Sequence, residues 1–186
     1  MLAIAVLLAL LAVASITDIR AHRIPNTITY SGMLIALAGN GVGDLWLVAG
    51  GSGAEALEWL GQVGLVPSLL GLLVCGLVML VCYVFLHVGG GDVKLLAMMG
   101  AFLGPEKGIE AMLWTFVLGA CAAIIVLVWR VGAWRLFVRV LRQAGYTLRL
   151  GRWPGLTPEE RAQLQPPLFL APAALAAVVV MLVLPA

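Results

Sequence analysis

From Gly64 to Val88 the chain contains no Asp, Glu, Lys or Arg. A helix needs roughly 20 apolar residues to cross the hydrocarbon core of a bilayer, so this stretch is long enough to span. Further apolar runs cover Met1 to Ile16, Ile28 to Val48, Val93 to Leu103, Ile109 to Trp129 and Leu168 to Leu184. In lipid every backbone N–H and C=O must find a partner inside the protein, which leaves helices as the form for such runs. The expected fold is all-α: a polytopic transmembrane helix bundle of six spans, making one integral-membrane domain over residues 1–186. Composition excludes the alternatives, because 63% of the chain is hydrophobic and 11% charged, against about 45–50% and 25% in soluble domains. A formal net charge of +2 supplies no clustered basic surface of the kind phosphate recognition uses, so no nucleic-acid partner is expected.

The fourth run is short. From Asp92 to Pro105 a helix rises only ~20 Å against a core of ~30 Å, so one end should lie below the membrane surface. Charge placement gives an orientation. With the N-terminus outside, all of the 11 Lys and Arg residues except Lys107 fall on the cytoplasmic side, as the positive-inside rule requires. Asp44, Glu55, Glu58, Glu106 and Glu110 fall on the other. The first run has no cation before it and Arg20 and Arg23 after it, the reverse of a cleavable signal peptide, so it is expected to be retained as a span.

Between the last two runs Trp134, Phe137, Val138, Leu141 and Leu148 alternate at helical spacing with Arg135, Arg139, Arg142 and Arg149. This pattern predicts an amphipathic helix lying on the cytoplasmic membrane surface, anchored to anionic lipid or docking a partner. Cys75, Cys82 and Cys121 sit in apolar runs and are expected to be buried thiols. Cys75 and Cys82, seven residues apart on a helix, are separated by roughly 10 Å, beyond disulfide reach, and no Cys-x-x-Cys pair of the zinc-binding kind is present. No metal or cofactor is expected. His22 and His87 are expected to be interfacial.

Asp18 and Asp92 are the acidic residues at the cytoplasmic ends of apolar runs, one after the first and one before the fourth, so the topology puts them at the same membrane face. An ionisable group at the membrane boundary is costly and points to function. Each also has a structural reading. Asp18 could cap the following turn or pair with Arg20 or Arg23, although a carboxylate in the last turn of a helix faces the negative end of the dipole. Asp92 follows a glycine turn and could be a helix N-cap. Together they suit the hydrolysis of a peptide by an activated water, because two neighbouring carboxylates in a poorly solvated site cannot both ionise easily. The charged one takes a proton from water while the protonated one donates to the scissile carbonyl. Glycines beside Asp92 would let a substrate backbone approach closely.

The segments Ser15-Ile-Thr-Asp18-Ile-Arg-Ala-His-Arg-Ile24-Pro25-Asn26 and Gly89-Gly-Gly91-Asp92-Val-Lys94 resemble the two signature segments of the type IV prepilin peptidases, membrane aspartic proteases with a Gly-x-Gly-Asp motif. The likeness covers about Ala14 to Gly104. It implies cleavage of the leader of prepilins or pseudopilins at the cytoplasmic face of the cell's inner membrane, after a glycine that precedes the apolar pilin helix. Asp18 and Asp92 would be the catalytic pair. Gly89 and Gly91 match the motif's glycines, and Lys94 matches its following basic residue, which either snorkels to the interface or takes part in the site. Pro25 and Asn26 match the Ile-Pro-Asn element, expected to start the second span with Pro near the first helical position and Asn as a cap.

Larger members of that family carry an N-terminal Cys-x-x-Cys region and also methylate the new pilin terminus. Here those cysteines are missing, so methyl transfer is not expected, and the compact form resembles the peptidases of tight-adherence (Flp) pilus systems or archaeal preflagellin peptidases. Homo-oligomerisation is possible. Two other classes stay open at this stage: a catalytically silent scaffold for pilus assembly, and a small ion-coupled carrier in which Asp18, Asp92 and Lys94 line a path.

Overall fold

Leu and Ala are strong helix formers, and they dominate the runs that fold here. The computed structural model describes residues 1–21, 23–50, 61–86, 88–131 and 170–184. Five helices follow one another: α1 (Leu2–Ala21), α2 (Asn26–Val48), α3 (Leu65–Leu86), α4 (Gly90–Val131) and α5 (Leu170–Val183). The described residues belong to two units, Met1–Leu118 with Phe169–Ala186, and Gly119–Leu168; the fold and site below are those of the first. Among the described residues four helices are long and apolar enough to cross a membrane, not six. The fifth, α5, has 14 residues.

α4 is one helix by hydrogen bonding but two by path. Gly104 has φ 79° and ψ 179°, a conformation that essentially only glycine adopts without strain, and Pro105 follows without an N–H to continue the ladder. A methyl group placed on Gly108 would lie 3.0 Å from the Gly100 Cα. In an unbroken helix residues so spaced are ~12 Å apart along the axis, so the chain doubles back at Gly104. The two apolar runs expected on either side of Gly104-Pro105 are thus two arms of a hairpin.

The break leaves the last carbonyls of the first arm without intrahelical donors. The Ser68 hydroxyl on α3 donates to the Ala101 carbonyl at 2.6 Å, a buried bond. Close packing makes that reach possible. A side chain on Gly71 would strike the Gly100 backbone, and one on Gly100 would strike Gly71 and the Cys75 Sγ at 2.8 Å, so α3 meets the hairpin backbone to backbone. Small residues serve the same end in many membrane helix pairs, where van der Waals contact rather than expulsion of water drives association.

The first arm forms the centre of the unit. Leu95, Leu96, Met98, Met99 and Ala101 are each fully buried, with Ala97, Phe102 and Leu103 nearly so; a helix apolar on every side has to be enclosed. Around it α1 packs along α5 and against α2, and α2 packs against α3. Their outer faces, among them Leu34, Val42, Trp46, Leu73, Leu77 and Val84, remain exposed, which suits lipid.

At the end of the unit away from Asp18, α2 supplies the caps that α3 lacks. Asn40 Oδ1 accepts from the Val63 and Gly64 N–H groups at 2.9 and 3.1 Å, and Asp44 Oδ2 accepts from Leu65 N–H at 2.7 Å. These are the orphan donors that any helix start must satisfy, and the Asp44 charge sits where the dipole favours it.

Two of the three thiols depart from the expected burial. Cys75 is buried beneath the glycine contact, Cys82 is half-buried and Cys121 is exposed; an apolar run does not fix which side of a helix faces inward. The expected surface helix of residues 134–148 and His22 and His87 lie outside the described residues.

Candidate active site

Asp18 stands in α1 rather than after it, because the helix continues past the apolar run to Ala21. Polar side chains in that last stretch turn inward on their own backbone: Ser15 Oγ donates to the Leu11 carbonyl at 2.7 Å and Thr17 Oγ1 to the Ala14 carbonyl at 2.9 Å. The buried residues of α1 are Leu7, Leu11, Ala14, Ser15 and Asp18, a stripe at helical three- and four-residue spacing. Its final member is therefore an acid held on the inner face, 8% exposed, whereas Arg20 and Arg23 are exposed. The Ala171 N–H of α5 donates to Asp18 Oδ2 at 3.4 Å.

Asp92 is not the cap of α4. The Gly89 carbonyl accepts from the N–H groups of Asp92 and Val93 at 3.0 and 3.4 Å, so Gly89 is the capping residue and Asp92 the third helical one. Position three is where an acidic side chain can reach back to the cap, as in a capping box, and the Asp92 carboxylate lies within range of the Gly89 backbone N–H. A methyl group on Gly89 would come within 3.0 Å of Asp92 Oδ2. One on Gly91 would sit 3.3 Å from Ile24 Cβ, so the third glycine of the motif lets the start of α4 lie against the Ile-Pro-Asn turn.

The structure brings the two acids near each other, within range of electrostatic influence. It also ties together the segments that carry them. Lys94 Nζ donates to Asn26 Oδ1 at 2.8 Å and lies 5.0 Å from the centre of the Tyr30 ring, within cation–π range. Lys94 is thus a bridge between the two segments rather than a free side chain reaching for the interface.

Pro25 and Asn26 exchange their expected places. Pro25, at φ −63° and ψ 130°, is the capping residue of α2, with no side-chain capping bond, and Asn26 is the first helical residue. Pro25 is held extended ahead of the helix, and the Asn26 side-chain oxygen, free of capping duty, receives Lys94. Sequence reasoning missed Ile24, Tyr30 and Ala171 as neighbours of the site. Ile24 lay inside the signature segment; Tyr30 is one turn beyond Asn26 on α2, which was a usable signal once Lys94 was expected nearby.

This is a helical membrane protein that carries two aspartates on separate helices, near enough for the charge of one to influence the other. The chain belongs to the Type IV leader peptidase family, whose profile matches residues 5–124. Comparison with curated proteins and with solved structures gave no match.

Proposed function

We propose that the chain is a membrane aspartic endopeptidase that removes the N-terminal leader of prepilins or pseudopilins at the cytoplasmic face of the inner membrane, with Asp18 and Asp92 as its catalytic pair. The observation that carries this reading is the placement of the two carboxylates, Asp18 on the buried face of α1 and Asp92 in the first turn of α4 near enough to be influenced by it, on two segments interlocked through Lys94 and Asn26. A water between the acids loses a proton to the ionised one as its oxygen attacks the scissile carbonyl. The protonated acid donates to the carbonyl oxygen. Collapse of the tetrahedral intermediate breaks the C–N bond: one of its two hydroxyls returns a proton to the acid that had donated, and the leaving amine takes up the proton gained by the base, giving one acid and one amine from one peptide bond and one water and restoring the pair. Membership of a leader peptidase family supports hydrolysis as the chemistry.

In the same reading the hairpin at Gly104 and α5 complete six crossings, the N-terminus lies outside, and methyl transfer does not accompany cleavage. The test is co-expression with a prepilin that carries a glycine before its apolar helix, followed by gel shift and mass spectrometry. Wild type should release the leader, and Asp18→Asn and Asp92→Asn should each abolish release while inserting normally. Cleavage surviving in either variant would remove that residue from the mechanism.

A further inference from the structure

Asp18 stands in the last turn of α1, where the helix dipole opposes a negative charge, and it is almost completely buried. A carboxylate so placed needs a donor from elsewhere. The structure supplies one from 153 residues away, the backbone N–H of Ala171 in the first turn of α5. At the start of a helix the N–H groups have no intrahelical acceptor and the dipole is positive, so the amide and the acid each meet a need of the other.

The packing of α5 aims this contact. Its buried residues are Ala171, Ala173, Ala174, Ala177 and Val178, nearly all small, and this face lies along α1, whose own buried stripe ends at Asp18. Ala171 itself is fully buried, so its amide is shielded from water that would compete for the carboxylate. An Asp side chain has two rotatable bonds, and a fixed donor to Oδ2 restricts both.

We propose that Ala171 is a positioning residue of the peptidase: through its backbone N–H, the N-terminus of α5 holds the Asp18 carboxylate in the orientation it needs toward Asp92 and the attacked peptide. The matched family region ends at residue 124, so this adds to the site an element from outside that region. The inference rests on the leader-peptidase reading.

A side-chain substitution does not remove a backbone donor, so the test replaces Ala171 by lactic acid in the full-length chain. This turns its N–H into an ester oxygen with little change of shape. The same replacement at Ala174 breaks a hydrogen bond inside α5 without touching Asp18, and so reports what weakening the helix does on its own. Rates are taken per folded molecule with a prepilin substrate, alongside wild type and Asp18→Asn. The ester at 171 should lower kcat about tenfold, the scale of losing one bond to a charged group, with KM within twofold of wild type, while the ester at 174 leaves kcat within twofold. Unchanged kcat at 171, a rise in KM alone, or an equal fall in kcat for both esters would overturn the positioning role. If wild type releases no leader, or Asp18→Asn still does, the peptidase reading itself falls and this role falls with it.

Discussion

The bridge from Lys94 to Asn26 and Tyr30 can be measured by a double-mutant cycle. Asn26→Ala removes the acceptor of the 2.8 Å bond. A hydrogen bond to a charged group contributes roughly 1.5–3 kcal/mol, but Asn26 is exposed and Lys94 half-buried, so the loss should fall to about 1 kcal/mol. Lys94→Met keeps the aliphatic stem and removes both the bond and the contact with Tyr30. That contact, at 5.0 Å and on a ring that is half exposed, adds about 0.5–1 kcal/mol, for a total of about 1.5–2 kcal/mol. In the double variant no bond is left to lose, so the cost should match that of Lys94→Met. The coupling between the two sites is then about 1 kcal/mol, well above the ~0.3–0.5 kcal/mol scatter of independent sites. Unfolding free energies of the four proteins by steric trapping in mixed micelles provide the readout. Additivity of the two single changes would refute the bridge, and a Lys94→Arg variant as weak as Lys94→Met would show that charge at this position is not what Asn26 senses.

Two further outcomes follow from the glycine turn and the hairpin. Gly89→Ala should lower leader cleavage about tenfold with normal insertion, because the added methyl comes within 3.0 Å of Asp92 Oδ2 and the carboxylate has to shift by a few tenths of an ångström, enough to misplace a reacting group; near-wild-type cleavage rates would contradict this. Ser68→Ala should destabilise the fold by about 1–2 kcal/mol, since the buried Ala101 carbonyl loses its 2.6 Å donor and an unsatisfied buried acceptor is costly; an unchanged unfolding free energy by the same steric-trapping measurement would show that another donor takes its place.

The hairpin was legible in the sequence because its cause is local. The run before Gly104-Pro105 is short for a crossing, and the two residues themselves supply the positive φ and the missing N–H. The limits of α1 were not legible in the same way, since apolarity falls after Ile16, yet Ser15 and Thr17 satisfy their hydroxyls on their own helix and the turn continues. That Asp18 and Asp92 lie at one membrane face could be expected from topology, whereas the contacts around each could not. Lys94 meets Asn26 across 68 positions, and Ala171 acts through an amide that every residue except proline possesses, so its side chain gives no sign of it. Asp92 was open to reading as a cap because Asp favours that position, but the run of glycines moved the cap back to Gly89, whose bare Cα is what leaves space for the carboxylate.

The contact between Asp18 and Ala171 also has a consequence for the order in which the protein is made. Asp18 leaves the ribosome 153 residues ahead of its donor, which at 5–20 residues per second is a delay of about 8–30 seconds. Through that interval α1 and the Asp92 hairpin can already sit in the bilayer while the carboxylate of Asp18 lacks its α5 amide. A chain still being translated thus reaches the bonded arrangement of Asp18 only once α5 has been delivered.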